Sequence, residues 1–431
     1  MPKTRPTEVV KLEKIVGGGQ ALGTLQSGLK VFVWGGLPNE KVEIEITRKK
    51  SKFAEGRILQ VIDPSDNRIE PVDKNTYLST SPWQIMTFDS EQKYKLQLID
   101  EAFALHHITL PNATQLYTNN HIIGYRNKVE FSWYGRLDEN GNETLDLAFF
   151  KRGSKGKVIV DSCSLLPEPA MRLSARIRDE LNSNRILARQ LKTLLVRSNQ
   201  KGDCVWQLYT KEKGEFINAK TAATLPAIGG EVIYSDPLSP ASKITERLVS
   251  YGNVTLEDTI LNIPFRYATE SFFQVNIPVY EQALRDMQKW VPRNNKVLDM
   301  YSGVGSIGLT IGGNNCTLVE INENAVREMR RNITKLGSKA TPILAASEKA
   351  LEYIEDDAIL IVDPPRAGLH PSIIQRILEV KPKRIVYLSC NPATQARDIE
   401  LLHKRYNIQY HQGYNFFPRT PHIEHLVVLD V

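Results

Sequence analysis

At 431 residues the chain is too long for one ordinary core, and two or three domains are expected. An apolar fraction of 41% with 24% charged residues reads as globular and soluble, and no run of about 18 apolar residues offers a membrane span. The net charge of +6 is concentrated, because residues 1–60 hold eleven Lys or Arg against six Glu. Such a block suits a polyanion, and equally a solvated surface. The basic start, Met1 to Pro6, lacks the apolar core of a secretory signal. Cys163, Cys204, Cys316 and Cys390 form no C-x-x-C pair, so no disulfide framework and a reducing, cytoplasmic setting are expected, with a monomer as the default.

In chain order, residues 5 to about 68 read as short strands broken by Gly17-Gly18-Gly19 and Gly35-Gly36, including Val31–Trp34 and Val42–Ile46. That pattern predicts a small closed barrel, with Lys49, Lys50 and Phe53 in a basic cluster at a strand end. Such barrels bind nucleic acid through charge and stacking, while an SH3-like interaction module is the alternative. Residues 69 to about 262 are mixed. Asp89 to His106 has a helical pattern, Tyr125–Phe131 and Leu147–Arg152 look like strands, and Lys151 to Lys157 reads as a basic hairpin tip. Met171 to Arg197 is expected to be an arginine-rich helix. From about 263 strands and helices alternate, as in a parallel α/β sheet. The strands expected there are 296–300, 316–320, 358–363 and 384–388, and the clearest helix, Asn324 to Leu336, buries Ala325, Met329, Ile333 and Leu336.

Gly303-Val304-Gly305-Ser306-Ile307-Gly308 follows the first of these strands, with Glu320 at the end of the next. Dinucleotide enzymes and methyltransferases share both features. Asp299, just before the loop, is poorly placed beside a pyrophosphate and better suited to a cationic cofactor. Asp363-Pro364-Pro365 ends a later strand at the same sheet edge, an acidic-Pro-Pro pattern like that of enzymes that methylate nucleic acids. Arg366 stands where adenine N6-methyltransferases carry an aromatic, which disfavours adenine.

Ser389-Cys390-Asn391-Pro392 puts a cysteine in a turn at that edge, whereas Cys204 and Cys316 lie within apolar strands as inert core residues. Uracil C5 is too weak a nucleophile to take a methyl group directly. Thiolate addition at C6 gives C5 carbanion character, and a base must then remove the C5 proton. Glu424, in Thr420-Pro421-His422-Ile423-Glu424-His425, supplies a carboxylate beside the final strand. His422 and His425 lack a third zinc ligand, and the P-C-x-x-C of zinc deaminases is missing, so no metal is expected.

These segments resemble the RNA uridine-5-methyltransferase family of bacterial tRNA and 23S rRNA enzymes over nearly the whole chain. Gly35-Gly36-Leu37-Pro38-Asn39-Glu40 is similar to part of the family's TRAM barrel. Ser271–Asn276, Asp299–Gly305, Asp363–Leu369, Ser389–Pro392 and His422–Glu424 follow in the family's order. The resemblance implies an α/β fold: a Rossmann-like class I methyltransferase domain, an N-terminal OB-like barrel and a mixed α+β central domain. It implies a barrel over residues 1–68, a central RNA-binding domain over 69–90 and 120–262, and a catalytic domain over 91–119 and 263–431. By the same resemblance Cys390 is the nucleophile and Glu424 the base, while Gln274, Tyr301, Glu320 and Asp363, with Gly303 and Gly305 of the glycine loop, bind S-adenosylmethionine. RNA, 23S rRNA ahead of tRNA, is expected to meet Arg126 and Lys128, with Lys151, Arg152, Lys49 and Lys50 of the basic clusters. Many members hold an iron–sulfur cluster with three cysteines before Pro-Trp-Gln; here Tyr77 to Gln84 has none, and Cys163 resembles a fourth ligand left alone. One thiolate does not hold a cubane, so no cluster is expected, and hydrogen bonds and packing must hold the loop. Cytosine-5 methylation of RNA and non-catalytic RNA binding remain as alternatives.

Overall fold

The computed structural model describes residues 5–154, 156–240 and 242–431. The first four residues, and Lys155 of the expected hairpin tip, lie outside the described residues. Strands β1 (Thr7–Ile15), β2 (Ala21–Thr24), β3 (Lys30–Trp34), β4 (Lys41–Lys49) and β5 (Ala54–Asp63) close into a barrel in the order β1-β2-β3-β5-β4. Alternation drives Val10, Leu12, Val31, Val33, Val42 and Ile44 inward, and closure leaves no strand edge to pair with another chain. A Cβ on Gly36 would lie 2.3 Å from Leu12 Cδ1, so only glycine lets the chain pass there. The buried carboxylate of Glu40 accepts from Leu37 N at 2.8 Å and from the Arg68 guanidinium, tying the turn to the chain leaving the barrel.

That chain runs through the single turn α1 (Tyr77–Thr80) and packs Trp83, Ile85 and Met86 against the barrel. Ser81, in the cysteine-free stretch before Pro82-Trp83-Gln84, belongs to a hydrogen-bonded knot. Gln84 Nε2 donates to Ser81 Oγ at 2.6 Å, to Asp73 Oδ2 at 2.8 Å and to Ser164 Oγ at 3.1 Å. Ser164 returns both N–H and O–H to Asp73. The neighbouring Cys163 is buried, and burial pushes its thiol up to about 11. Helix α2 (Phe88–Ala104), capped by Thr87, then leads to the short strand β6 (Leu116–Tyr117).

The central sheet has the order β13-β12-β11-β10-β7-β8-β9. Its strands are β7 (Lys128–Leu137), β8 (Glu143–Phe150), β9 (Lys157–Ile159), β10 (Leu191–Ser198), β11 (Cys204–Thr210), β12 (Gly229–Tyr234) and β13 (Glu246–Gly252). Helix α3 (Glu168–Ser183) packs Leu173, Ile177 and Leu181 onto it, and α4 (Ala219–Thr224) sits before β12. The arginine-rich helix is therefore shorter than expected. It stops where Asn182-Ser183-Asn184 and the left-handed Arg185 (φ 55°) end it, and residues 191–198 are a strand. That strand is buried on both faces, so it shows no alternation that would distinguish it from helix. Tyr125 to Asn127 likewise precede the strand that begins at Lys128.

The hairpin β14 (Thr255–Ile260) and β15 (Ile263–Ala268) gives Leu256, Ile260, Phe265 and Tyr267 to the core of the third sheet. Then come α5 (Ile277–Gln288), β16 (Val297–Met300), α6 (Gly308–Ile311), β17 (Cys316–Glu320), α7 (Glu323–Leu336), β18 (Thr341–Leu344), β19 (Ile359–Val362), α8 (Pro371–Val380), β20 (Arg384–Ser389), α9 (Pro392–Leu402), β21 (Asn407–Tyr414) and β22 (Glu424–Asp430). Their order is β18-β17-β16-β19-β20-β22-β21-β6, parallel from β18 to β20, with β22 running antiparallel. Ile99, Ala102 and Phe103 of α2 join Ala396, Ile399 and Leu402 of α9 in one core, so the helix after the barrel docks on this sheet. No helix among the described residues is long and apolar enough to cross a membrane.

Candidate active site

The carboxyl ends of β16, β17, β19 and β20 meet where α/β sheets bind ligands. After β16 the chain turns sharply through Tyr301, Gly303 and Gly305 at positive φ (67°, 57° and 86°). The glycine amides are already bonded within the protein. Gly303 N donates to Glu320 Oε2 at 2.9 Å, Gly305 N to Ser302 O at 2.8 Å, and Gly308 N to Asp299 Oδ2 at 2.9 Å. A dinucleotide loop needs such amides free for phosphate, and α6 behind this one is a single turn. Asp299, expected to face a cation, is wholly buried behind the loop, where burial pushes its carboxyl up to about 8. The side chain points to Gly308, which strand position alone does not reveal.

A cleft of about 630 Å³ opens at these strand ends and brings together Gln274, Tyr301, Gly303, Glu320, Asp363, Cys390 and Glu424. Gly305 lies outside this lining; its tight turn packs against Leu309 and Met329. Glu270, Glu320, Asp363 and Glu424 face one cation, Arg366, so the lining is net acidic. A pyrophosphate fits this poorly and a positively charged ligand well. Phe272 and Ile321, each 69% exposed, add apolar surface at the rim for a flat ring. Sequence reasoning gave no role to Phe272, Ile321 or Phe417. The signal available was an aromatic or aliphatic residue beside each polar one.

Cys390 sits between β20 and the first turn of α9, whose Asn391 cap accepts from Ala393 N at 3.3 Å. Its thiol is half-buried and pushed up to about 12, first by burial and then by Glu424 and Asp363, with Arg366 opposing. Burial also raises the carboxyl of Asp363 to about 7 and that of Glu424 well above its ordinary value, the latter with help from Asp363. A positive charge among these groups favours the ionised form of all three. Arg366 bonds the ring edge of His422 at 3.1 Å, and its carbonyl accepts from Asn391 Nδ2 at 3.0 Å and Thr394 Oγ1 at 3.1 Å. Burial, then Arg366, pulls His422 down to about 3, so it faces the guanidinium as a neutral ring. The segment carrying His422 and Glu424 is anchored from α2: Lys95 Nζ donates to Asn415 Oδ1 at 2.6 Å and Phe417 O at 3.1 Å, and Glu91 accepts from Arg419 N at 3.0 Å. Glu91 and Lys95 are themselves fully buried and paired at 3.1 Å.

A second cavity, of about 520 Å³, reaches Cys390 from the barrel side, lined by Gly17, Gly18, Leu98, Leu105, Arg152, Arg366, Cys390 and His422 among others. Arg152 stacks over Trp34 at 4.3 Å and donates to Leu78 O at 2.6 Å. Lys151 points into a different depression with Arg136 and Lys157. Lys49 and Lys50 are exposed at the end of β4, with Lys50 over Phe53 at 5.1 Å. Arg126 and Lys128 do not line the cavity of Cys390. Arg126 Nε donates to Lys128 O at 3.0 Å, and Lys128 is half-buried, with burial and then Arg197 lowering it to about 8. Among the described residues no three His, Cys, Asp or Glu side chains converge as metal ligands.

A Rossmann-like domain with an acidic cleft, a cysteine at its edge and a nucleic-acid-type barrel in front defines an RNA methyltransferase. The sequence matches the tRNA (Uracil-5-)-methyltransferase family over residues 90–431 and the TRAM domain over residues 6–59. The chain belongs to that methyltransferase family. It is similar to RNA methyltransferases of Fusobacterium nucleatum (28% identical, covering 96% of this chain and 94% of the relative) and Streptococcus pyogenes (28%, 98% and 97%). Its fold is like that of a tRNA (uracil-54, C5)-methyltransferase of Pyrococcus abyssi solved with S-adenosyl-L-homocysteine, at a TM-score of 0.78 and 21% identity, covering 97% of this chain and 100% of that one.

Proposed function

We propose that the protein methylates C5 of a uridine in RNA, with Cys390 as nucleophile, Glu424 as base and S-adenosylmethionine in the acidic cleft. The observation carrying this reading is that Cys390 and Glu424 line one cleft with Gln274, Tyr301, Gly303, Glu320 and Asp363, from six separate stretches of chain. S-adenosylmethionine, when bound, supplies an electrophilic methyl group. The residues fit it: acids around a cationic centre, Glu320 at the end of β17 for ribose hydroxyls, and Phe272 and Ile321 for the adenine ring. The Cys390 sulfur adds to uracil C6 as the thiolate, its electron pair passing through C5 to the C4 oxygen, and C5 would then gain the methyl group; Arg366, touching both cavities, offsets charge building on the base. Glu424 then takes the C5 proton; burial, then Asp363, raises its carboxyl above its ordinary value, which makes the carboxylate a stronger base once ionised. Loss of the Cys390 sulfur from C6 restores the ring. The uridine approaches through the barrel-side cavity and has left its stack to do so.

The substrate we favour is 23S rRNA, on the presence of the TRAM barrel. The T loop of tRNA is the second reading, supported by the substrate in the name of the Pyrococcus enzyme. Mapping 5-methyluridine in both RNAs from a strain lacking the gene decides between them: a mark lost from 23S rRNA supports the first, one lost from tRNA the second, and no loss from either rejects the function. The barrel, the central sheet and the third sheet with α2 and β6 are proposed as RNA-gripping, RNA-positioning and catalytic units of a cytoplasmic monomer.

A further inference from the structure

The loop from Thr269 to Asn276, between β15 and α5, carries Glu270, Ser271, Phe272 and Gln274 into the cleft, yet has no regular structure of its own. Several of its carbonyls turn inward, where each needs a donor. They find one on another sheet. Arg197, in the middle of the molecule on β10, is 0% exposed and donates to Thr269 O at 3.2 Å, Ser271 O at 2.5 Å and Phe273 O at 3.1 Å, with Ala268 O at 3.4 Å. Its guanidinium lies 4.7 Å from the Tyr267 ring, which stacks on Phe273 at 4.0 Å. No carboxylate among the described residues pairs with it within 4 Å, so its charge is spent on backbone oxygens. Beside it, Asn127 Nδ2 donates to Gln274 O at 2.9 Å. Burial lowers Arg197 only to about 10, so it stays charged at neutral pH.

We propose that Arg197, with Asn127, is a positioning residue for cofactor binding: the central sheet reaches across to fix the backbone of the loop bearing Phe272 and Gln274. This rests on the reading of the cleft as the S-adenosylmethionine site. A planar fork of donors suits several converging carbonyls; an ammonium reaches fewer, and a neutral side chain leaves them unsatisfied. The effect belongs to cofactor binding and not to the chemistry, because neither residue lines the cleft.

The test uses the full chain, S-adenosylhomocysteine as calorimetric probe, and steady-state kinetics on an RNA carrying the target uridine. Arg197→Lys should raise the dissociation constant of the probe about tenfold or more, as expected for losing hydrogen bonds to a charged donor. Asn127→Ala should act in the same direction by less. In both, kcat at saturating S-adenosylmethionine and KM for RNA should stay near the wild-type values. If Arg197→Lys fails to fold, Asn127→Ala decides alone by the same measurements. Unchanged probe affinity, or affinities for probe and RNA that weaken in parallel, overturns the inference while wild-type binding keeps the cleft assignment intact. A wild-type protein that does not bind the probe overturns both.

Discussion

The strand ends of the third sheet and the turn after β8 carry opposite charge. The first gathers Glu270, Glu320, Asp363 and Glu424 around Arg366; the second presents Lys151, Arg152 and Lys157 beside the aromatic rings of Trp34 and Phe150. Cys390 lies on the wall shared by both cavities, and of these basic residues Arg152 reaches the barrel-side one, while Lys151 and Lys157 line a separate depression. A single charged groove would attract one ligand and repel the other. In the proposed reaction, keeping opposite charges on separate walls would let a cationic cofactor and a polyanionic RNA approach the Cys390 sulfur from different sides.

The sharpest way to break this picture is at the shared wall. Cys390→Ala should abolish methylation and leave no covalent species, whereas Glu424→Gln should accumulate methylated RNA bound to protein through denaturing electrophoresis. RNA with 5-fluorouridine at the target should trap the wild type similarly. A Glu424→Gln protein that turns over normally rules out the assigned base.

The acidic side is tested next. Asp363→Asn should weaken S-adenosylhomocysteine binding about 10- to 100-fold, the loss expected for a partly buried charge partner. It should also speed iodoacetamide alkylation of Cys390, because one of the negative neighbours holding its thiol up is gone. In the wild type without ligands the thiol form dominates below about 12, so alkylation should be slow at neutral pH. It should rise about tenfold per pH unit, following the thiolate fraction. The other three cysteines are buried, so mass spectrometry reads one site. A pH-independent rate at pH 7–9 rejects this account of the sulfur.

The basic side should give a smaller response. Removing the barrel would strip Trp83, Ile85 and Met86 of their cover, so charge neutralisation is the cleaner probe. Lys49→Ala with Lys50→Ala should weaken RNA binding and reduce the slope of log affinity against log salt by about 1 to 2. S-adenosylhomocysteine affinity should not change. An unchanged slope removes these lysines from the phosphate contacts.

Part of the cleft was readable in the sequence because chemistry fixes both residue type and place, whereas Gln274 and Tyr301 came from the family resemblance alone and Phe272, Ile321 and Phe417 were missed. An acid, a glycine turn, an acidic-Pro-Pro and a cysteine each had to follow a strand of the same sheet. Direction was not readable: Asp299 and Glu320 both end strands, but one turns back to Gly308 and the other reaches the cleft. Residues 191–197 fell within the expected helix because a strand buried on both faces has no period of two, and Arg197 was only the last residue of that helix. The junctions between sheets were silent for a different reason. Asp73 meets Ser164 across 91 residues and Lys95 meets Asn415 across 320, and no local pattern reports such a meeting.

The knot of Asp73, Ser81, Gln84 and Ser164 holds the stretch, Tyr77 to Gln84, that lacks the cysteines which the family resemblance associates with an iron–sulfur cluster. Gln84→Ala should cost about 1–3 kcal/mol of unfolding free energy, the penalty for buried partners left unsatisfied, and the purified protein should be colourless and iron-free with or without air. Every part of this fastening is encoded in the chain itself. A clasp of this kind closes as the chain folds, and it joins the segment leaving the barrel to the one that precedes α3.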